Sequence, residues 1–243
     1  MKVRGKRECT ACGTVWSYYD TGSPRCPECD SLQSVGLDDR TRHTDADITL
    51  DLSPIRSQID EVPEDELAGD AAQIAREYVR KRGFIDAGEL LPLDWRFVAA
   101  AEIAHVAAAY ARRMQPTDEE ELYFLSLLQR PDAAEPPDPA AVPATFHGAF
   151  GLAMANAIEE YQRDLRTYLA DAQDVDPTAS SLAGRIRDQR KRLEALEGDV
   201  DPADAHRLLR ATRDLGQAVA AQDPSSYVTA DNWLTGIDGK EQT

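Results

Sequence analysis

The sequence predicts a mainly α protein: a small N-terminal β ribbon, then an all-α helical bundle ending in an antiparallel helical hairpin. Three observations carry that prediction. Two Cys-x-x-Cys pairs, Cys9/Cys12 and Cys26/Cys29, bracket a run of strand formers near the amino terminus. From residue 65 onward, apolar residues recur at the spacings of an amphipathic helix. Two late segments open on Asp-Pro, at Asp176-Pro177 and Asp201-Pro202, placing proline where a first helical turn accepts it.

The ribbon follows from the cysteines. The two pairs use all four cysteines of the chain, with thirteen residues between them. Two intervening residues let the chain turn tightly enough for both sulfurs of a pair to reach one metal, so four thiolates can surround a tetrahedral Zn²⁺. Gly13 after Cys12 can take a positive φ, which lets backbone N–H groups point at the sulfurs. Asp30 follows the second pair, Cys26-Pro27-Glu28-Cys29, where a turn residue is expected. Between the pairs, Thr14-Val15-Trp16-Ser17-Tyr18-Tyr19 reads as strand and Asp20-Thr21-Gly22-Ser23-Pro24 as a turn, giving a β-hairpin between two knuckles. A ribbon of this size cannot bury enough core to fold alone. One structural metal must supply the stability, on the order of 10–16 kcal/mol in small zinc peptides. Met1 to Arg7 lacks the apolar stretch of a signal peptide, which disfavours disulfides, and the region lacks the βαβ unit of a redox dithiol. Zinc is expected; spacing alone leaves iron, in a rubredoxin-like site, as the alternative.

Cys9-Thr10-Ala11-Cys12-Gly13 and Cys26-Pro27-Glu28-Cys29, with an aromatic hairpin between, resemble the zinc ribbon of transcription factor B-type proteins. Joined to the long helical segment downstream, they resemble an uncharacterised family of haloarchaeal zinc-ribbon-containing proteins. The first resemblance covers about the first 36 residues; the second covers most of the chain but implies no activity. Transcription factor B carries cyclin-like repeats after its ribbon, and no internal repeat of that size occurs here, so a general initiation factor is not implied.

Composition points the same way. Forty-four acidic residues face 27 basic ones, for a formal charge of −17. Asp (27) outnumbers Glu (17), Arg (22) outnumbers Lys (5), and Ala supplies 36 residues. Such an acidic, lysine-poor surface stays soluble where concentrated salt screens charge repulsion, so a halophilic protein is expected.

Residues 1–36 form the expected ribbon. Residues 37–63, with Asp38, Asp39, Asp45, Asp47 and Asp51, read as an acidic linker with a short helix begun by Ser53-Pro54. A helical domain spans 64–222. Within it, Leu67, Ala71, Ile74 and Tyr78 form one stripe over 65–82, ended by Gly83. The alanine-dense segment 94–114 is the most apolar helix, and Thr117 with Glu120 makes a capping box. Five prolines make 131–143 a semi-rigid connector. The long helix 144–172 places Phe150, Met154, Ala157, Tyr161, Leu165 and Tyr168 inward. The two Asp-Pro segments then carry narrow seams, Leu182, Ile186, Gln189, Leu193 and Leu196 against Ala205, Leu208, Thr212, Leu215 and Val219. Residues 223–243 read as a C-terminal tail whose Tyr227 and Trp233 suggest docking.

Catalysis finds no support in this sequence. The four histidines are scattered, and no nucleophile elbow, phosphate loop or dinucleotide fingerprint appears. Glu102 and His105 form Glu-x-x-His on one helical face, as in a ferritin-like di-iron bundle. Such a site needs a second copy, and neither His147 nor His206 has Glu three residues earlier. A satisfied buried Glu–His pair, or a solvent-facing one, is the expectation, and a rubrerythrin-like iron redox protein is the distant third reading. Two basic places remain for binding. Arg4, Lys6 and Arg7, with Lys2, lie beside Trp16, Tyr18 and Tyr19, a pattern suited to single-stranded nucleic acid or to a small ribbon core with compensating cations. Arg185, Arg187, Arg190, Lys191 and Arg192 line the first seam helix, with Arg190 set to pair with Glu194. A net charge of −17 and high salt both weaken phosphate binding. The expectation is therefore a cytoplasmic, non-enzymatic adaptor or regulatory module with a protein partner; a nucleic-acid factor is the alternative.

Overall fold

The computed structural model describes residues 1–172, 174–221 and 223–238. Mainly α architecture follows the prediction: most of the short strands gather at the amino terminus, and helices build nearly all of the rest.

The ribbon strands are β1 (Lys2–Arg4), β2 (Lys6–Cys9), β3 (Val15–Ser17) and β4 (Ser34–Gly36). β2 is central in the order β3-β2-β4, and both pairings are antiparallel. Residues 14–19 do not continue as one strand. Ser17 caps a single helical turn, α1 (Tyr18–Thr21), its hydroxyl accepting from the Asp20 N–H, and Gly22 closes the turn at φ 60°. Strand propensity loses here to a local cap and to the packing of both tyrosine rings described below.

Residues 37–63 lie against both parts of the molecule. β5 (Arg40–Arg42) pairs antiparallel with β1, Val3 opposite Thr41. The chain then crosses the helical body, burying Leu50, Leu52 and Ile55, and makes the short helix α2 (Ser53–Arg56) at the expected Ser53-Pro54. Its acidic composition reads as a linker, but three apolar side chains seated in the core make it a strap. Gly83 lets the strap approach: a Cβ there would meet the Thr44 carbonyl oxygen at 2.2 Å. Asp164 fastens the crossing. Its Oδ2 accepts from the Thr44 hydroxyl and the Phe84 N–H, both at 2.7 Å.

α3 (Glu64–Lys81) precedes a two-residue hairpin, β6 (Ile85–Asp86) and β7 (Glu89–Leu90), turned by Ala87 and Gly88 at positive φ. α4 (Trp95–Tyr110), capped by Asp94, sits between α3 and α7 (His147–Asp171). Its alanines let those neighbours approach, and Phe97, Ile103 and Val106 are fully buried. α5 (Asp118–Leu127) opens with the Thr117/Glu120 capping box. The proline-rich stretch then carries α6 (Arg130–Ala133) and two 3₁₀ turns, Pro139–Ala141 and Ala144–Phe146.

α8 (Pro177–Ala195) and α9 (Pro202–Ala221) form the expected antiparallel hairpin against α7. The bundle does not end there. The expected tail folds as α10 (Pro224–Asp238), which packs on α9 and α8 and buries Ala230, Leu234 and Ile237. Trp233 donates from Nε1 to Asp214 at 2.8 Å. The last five residues of the sequence lie outside the described residues.

Candidate metal centre

Each Cys-x-x-Cys pair sits in a loop with the same backbone hydrogen bonds. In the first, the Cys9 N–H donates to the Thr14 carbonyl and the Gly13 N–H returns to Cys9; in the second, Cys26 donates to Ser31 and Asp30 returns to Cys26. The residue after each pair, Gly13 or Asp30, takes a left-handed φ of 77° or 62°. The amide of Gly13 thus serves the Cys9 carbonyl.

The two loops bring the four sulfurs within 4.8 Å of one another. Cys9 and Cys29 are 3.6 Å apart at Sγ, as are Cys12 and Cys26. A disulfide requires about 2.05 Å, whereas zinc–sulfur bonds of about 2.3 Å in a tetrahedron separate sulfurs by about 3.8 Å. The residues fit a single tetrathiolate-bound ion. Cys9 and Cys26 are buried with Trp16, while Cys12 and Cys29 are exposed. The Thr14 hydroxyl, 3.2 Å from Cys12 Sγ, helps hold that thiol down to about 6. Cys29 is pushed up to about 12: hydrogen bonding from the Ser31 amide favours its thiolate, but the neighbouring Cys12 and Cys9 sulfurs outweigh it. A divalent cation supplies the charge that four adjacent thiolates need. Among the described residues, these four cysteines are the one cluster of three or more His, Cys, Asp or Glu groups with metal-ligating geometry.

The residues proposed for a binding surface divide. Trp16 is buried, its Nε1 donating to the Ser23 carbonyl at 3.2 Å; it forms the ribbon core with Cys9 and Cys26. Tyr18 and Tyr19 turn toward the strap, their rings 6.2 and 4.8 Å from that of His43, and the Tyr19 hydroxyl bonds Thr41. Arg4 donates to the Asp38 carbonyl, and Arg7 donates to the Ser34 hydroxyl at 2.9 and 3.1 Å. The Lys6 side chain is exposed, while its backbone N–H is held by Asp38. Trp16 therefore fills the ribbon core and the two tyrosines join the ribbon to the strap, so the three form no single outward platform.

The sheet also carries an apolar face that the sequence did not announce. Cross-strand register places Val15 and Val35 opposite Glu8 on one side of the sheet, with Leu37 two residues beyond Val35. Val15, Val35 and Leu37 are each nearly half exposed, and Leu32 is 65% exposed. Alternation of Val35 with Leu37 was the available signal, but it needed the register to be visible.

The Glu102–His105 pairing is replaced by two separate arrangements. Glu102 is fully buried and ion-paired to Arg130, with the Tyr123 hydroxyl donating to it. Burial pushes its carboxyl up, while Arg130 and Tyr123 oppose the shift. His105 bonds Asn156 instead, and burial lowers its pKa. On α8, Arg190 pairs with Glu194 as expected, and Arg185 with Asp231.

The chain belongs to DUF7117, a family of unknown function whose profile matches residues 1–234. No curated protein and no solved structure gives a match.

Proposed function

We infer that the protein is a zinc-ribbon recognition module: one structural Zn²⁺ shapes a small apolar sheet face that a partner protein covers. The observation that carries this reading is the pair of matched cysteine loops with sulfurs at tetrathiolate spacing, joined to a sheet exposing Val15, Val35 and Leu37. Sulfur ligation selects zinc or iron over hard cations. The metal has no open coordination position when four cysteines hold it, which suits structure rather than catalysis. An intracellular, reducing setting keeps the thiols available. No helix among the described residues is long and apolar enough to cross a membrane.

Nucleic-acid recognition through the ribbon is the second reading, and it draws on Lys2, Arg4, Lys6 and Arg7. It is weaker because Trp16 is buried and both tyrosines face His43, which leaves bases little to stack on.

Metal analysis of protein purified in high salt tests the first step: one zinc per chain and no iron is expected, and stoichiometric iron would return the redox reading. Affinity purification with and without nuclease tests the second. Partners that persist after nuclease and are lost in a Val35→Asp/Leu37→Asp variant support protein recognition; partners that vanish with nuclease overturn it.

A further inference from the structure

A groove runs between α7 and α8, remote in sequence from the ribbon. At one end, a cleft of ≈ 300 Å³ is lined by Arg163, Arg166, Arg187 and Arg190, with Glu159 and Glu160. A second cleft of ≈ 280 Å³ shares Arg166 and Arg187 with it and adds Leu165, Leu169 and Ala183. Leu169 also lines a third cleft that reaches Tyr168, Val219 and Tyr227. From Glu159 to Leu169 the helix rises about 15 Å. Arginines thus mark one end of the groove, apolar side chains its middle, and Asp174 and Asp176 join Tyr168 and Tyr227 at the other end.

Four arginines border this groove, and the four carboxylates beside them, Glu159, Glu160, Asp188 and Glu194, contact only three of the four. Glu160 holds Arg163, while Glu194 and Glu159 flank Arg190. Arg187 has a 3.6 Å contact with adjacent Asp188, and Arg166 has no ion pair among the described residues. Arg190 is 9% exposed, yet its buried Nε meets no acceptor. A buried donor left without a partner is costly in a finished structure, so it signals a missing acceptor. Gly184 adds open space: a Cβ there would meet only the Arg187 guanidinium, at 4.0 Å.

We propose that this groove binds a free single-chain organic anion. Its carboxylate or phosphate head sits among Arg166, Arg187 and Arg190, and its apolar chain lies along Leu165, Leu169 and Ala183 toward Tyr168. Guanidiniums match such heads through paired N–H donors, and an apolar cleft with a few polar groups at one end is the usual form of a small-ligand site. The proposal is independent of the metal centre.

Titration calorimetry of the full-length, metal-loaded protein with decyl phosphate tests it, with inorganic phosphate, decanol and decyltrimethylammonium as comparison probes. Decyl phosphate is expected to saturate one site, and each comparison probe to bind at least roughly tenfold more weakly, as expected when a charge-assisted contact or the apolar chain is removed. Arg166→Glu/Arg187→Glu, both on exposed positions, should weaken binding by about tenfold or more. Gly184→Leu should block the groove, with helical circular dichroism and metal content unchanged. Equal binding of decanol or of inorganic phosphate overturns the proposal, as does binding retained in both variants. Co-sedimentation with anionic vesicles without binding of monomeric decyl phosphate overturns it in favour of a membrane surface.

Discussion

The ribbon and the helical body are stabilised by opposite means. Three buried residues, Cys9, Trp16 and Cys26, are the whole apolar core of the ribbon. The body has one contiguous core running from Leu50 on the strap to Ile237 on α10. Burial is worth roughly 1.5–3 kcal/mol per large side chain, so the body can stand on it and the ribbon cannot. A single cluster of sulfurs therefore does for the ribbon what dozens of side chains do for the bundle. Loss should be all-or-none on one side and graded on the other.

The sharpest way to break the comparison is to remove the metal. Chelation, or Cys26→Ser, should unfold the ribbon outright, since a structural ion contributes about 10–16 kcal/mol in small zinc peptides. Thiol titration should then count reactive cysteines while far-UV circular dichroism keeps most of its helical signal. Simultaneous collapse of both signals would deny the separation.

Within the body, Glu102→Ala should have the largest effect. It strands Arg130 and the Tyr123 hydroxyl without their shared carboxylate, a change worth about 3–5 kcal/mol. Denaturant unfolding followed by helical signal reads the loss, and the metal content should stay constant.

A smaller effect has a pH signature. Burial and the nearby Arg210 and Arg207 lower the pKa of His206 from 6.5 to about 4. The unfolded chain then binds the extra proton between those values. Stability from this group is complete above pH 6.5 and falls with pH down to about 4. His206→Asn should flatten that part of the helical body's pH profile; an unchanged slope would remove His206 as its source. Smallest of the four, Thr117→Ala removes the α5 cap and should cost about 1 kcal/mol in the same denaturant experiment, with no effect on metal content.

Signals confined to a few neighbouring residues were legible in the sequence. The cysteine loops, the Ser53-Pro54 helix start and the Thr117/Glu120 box rest on contacts within a turn or two, and the α8–α9 hairpin on two helices that are neighbours in sequence. What escaped depends on distant partners. Leu50, Leu52 and Ile55 stand in an acidic stretch and join the core of the distant helices, where Asp164, more than a hundred residues later, also holds the strap. Tyr18 leaves the strand because His43 offers its ring a partner. α10 is different: Asp223-Pro224 repeats the Asp-Pro start already seen twice, and Asp223 accepts from the Ser225 N–H. Tyr227, Ala230, Leu234 and Ile237 keep helical spacing, but small and polar neighbours diluted the stripe.

The strap also sets an order of assembly. On a ribosome, both cysteine loops are complete once Ser31 is free, whereas β1 must wait for Arg42 and the Asp164 fastening for most of α7. Metal capture can therefore precede every long-range contact in the molecule. The nascent chain would carry a loaded ribbon on a still unstructured strap, and the bundle would close around that strap last.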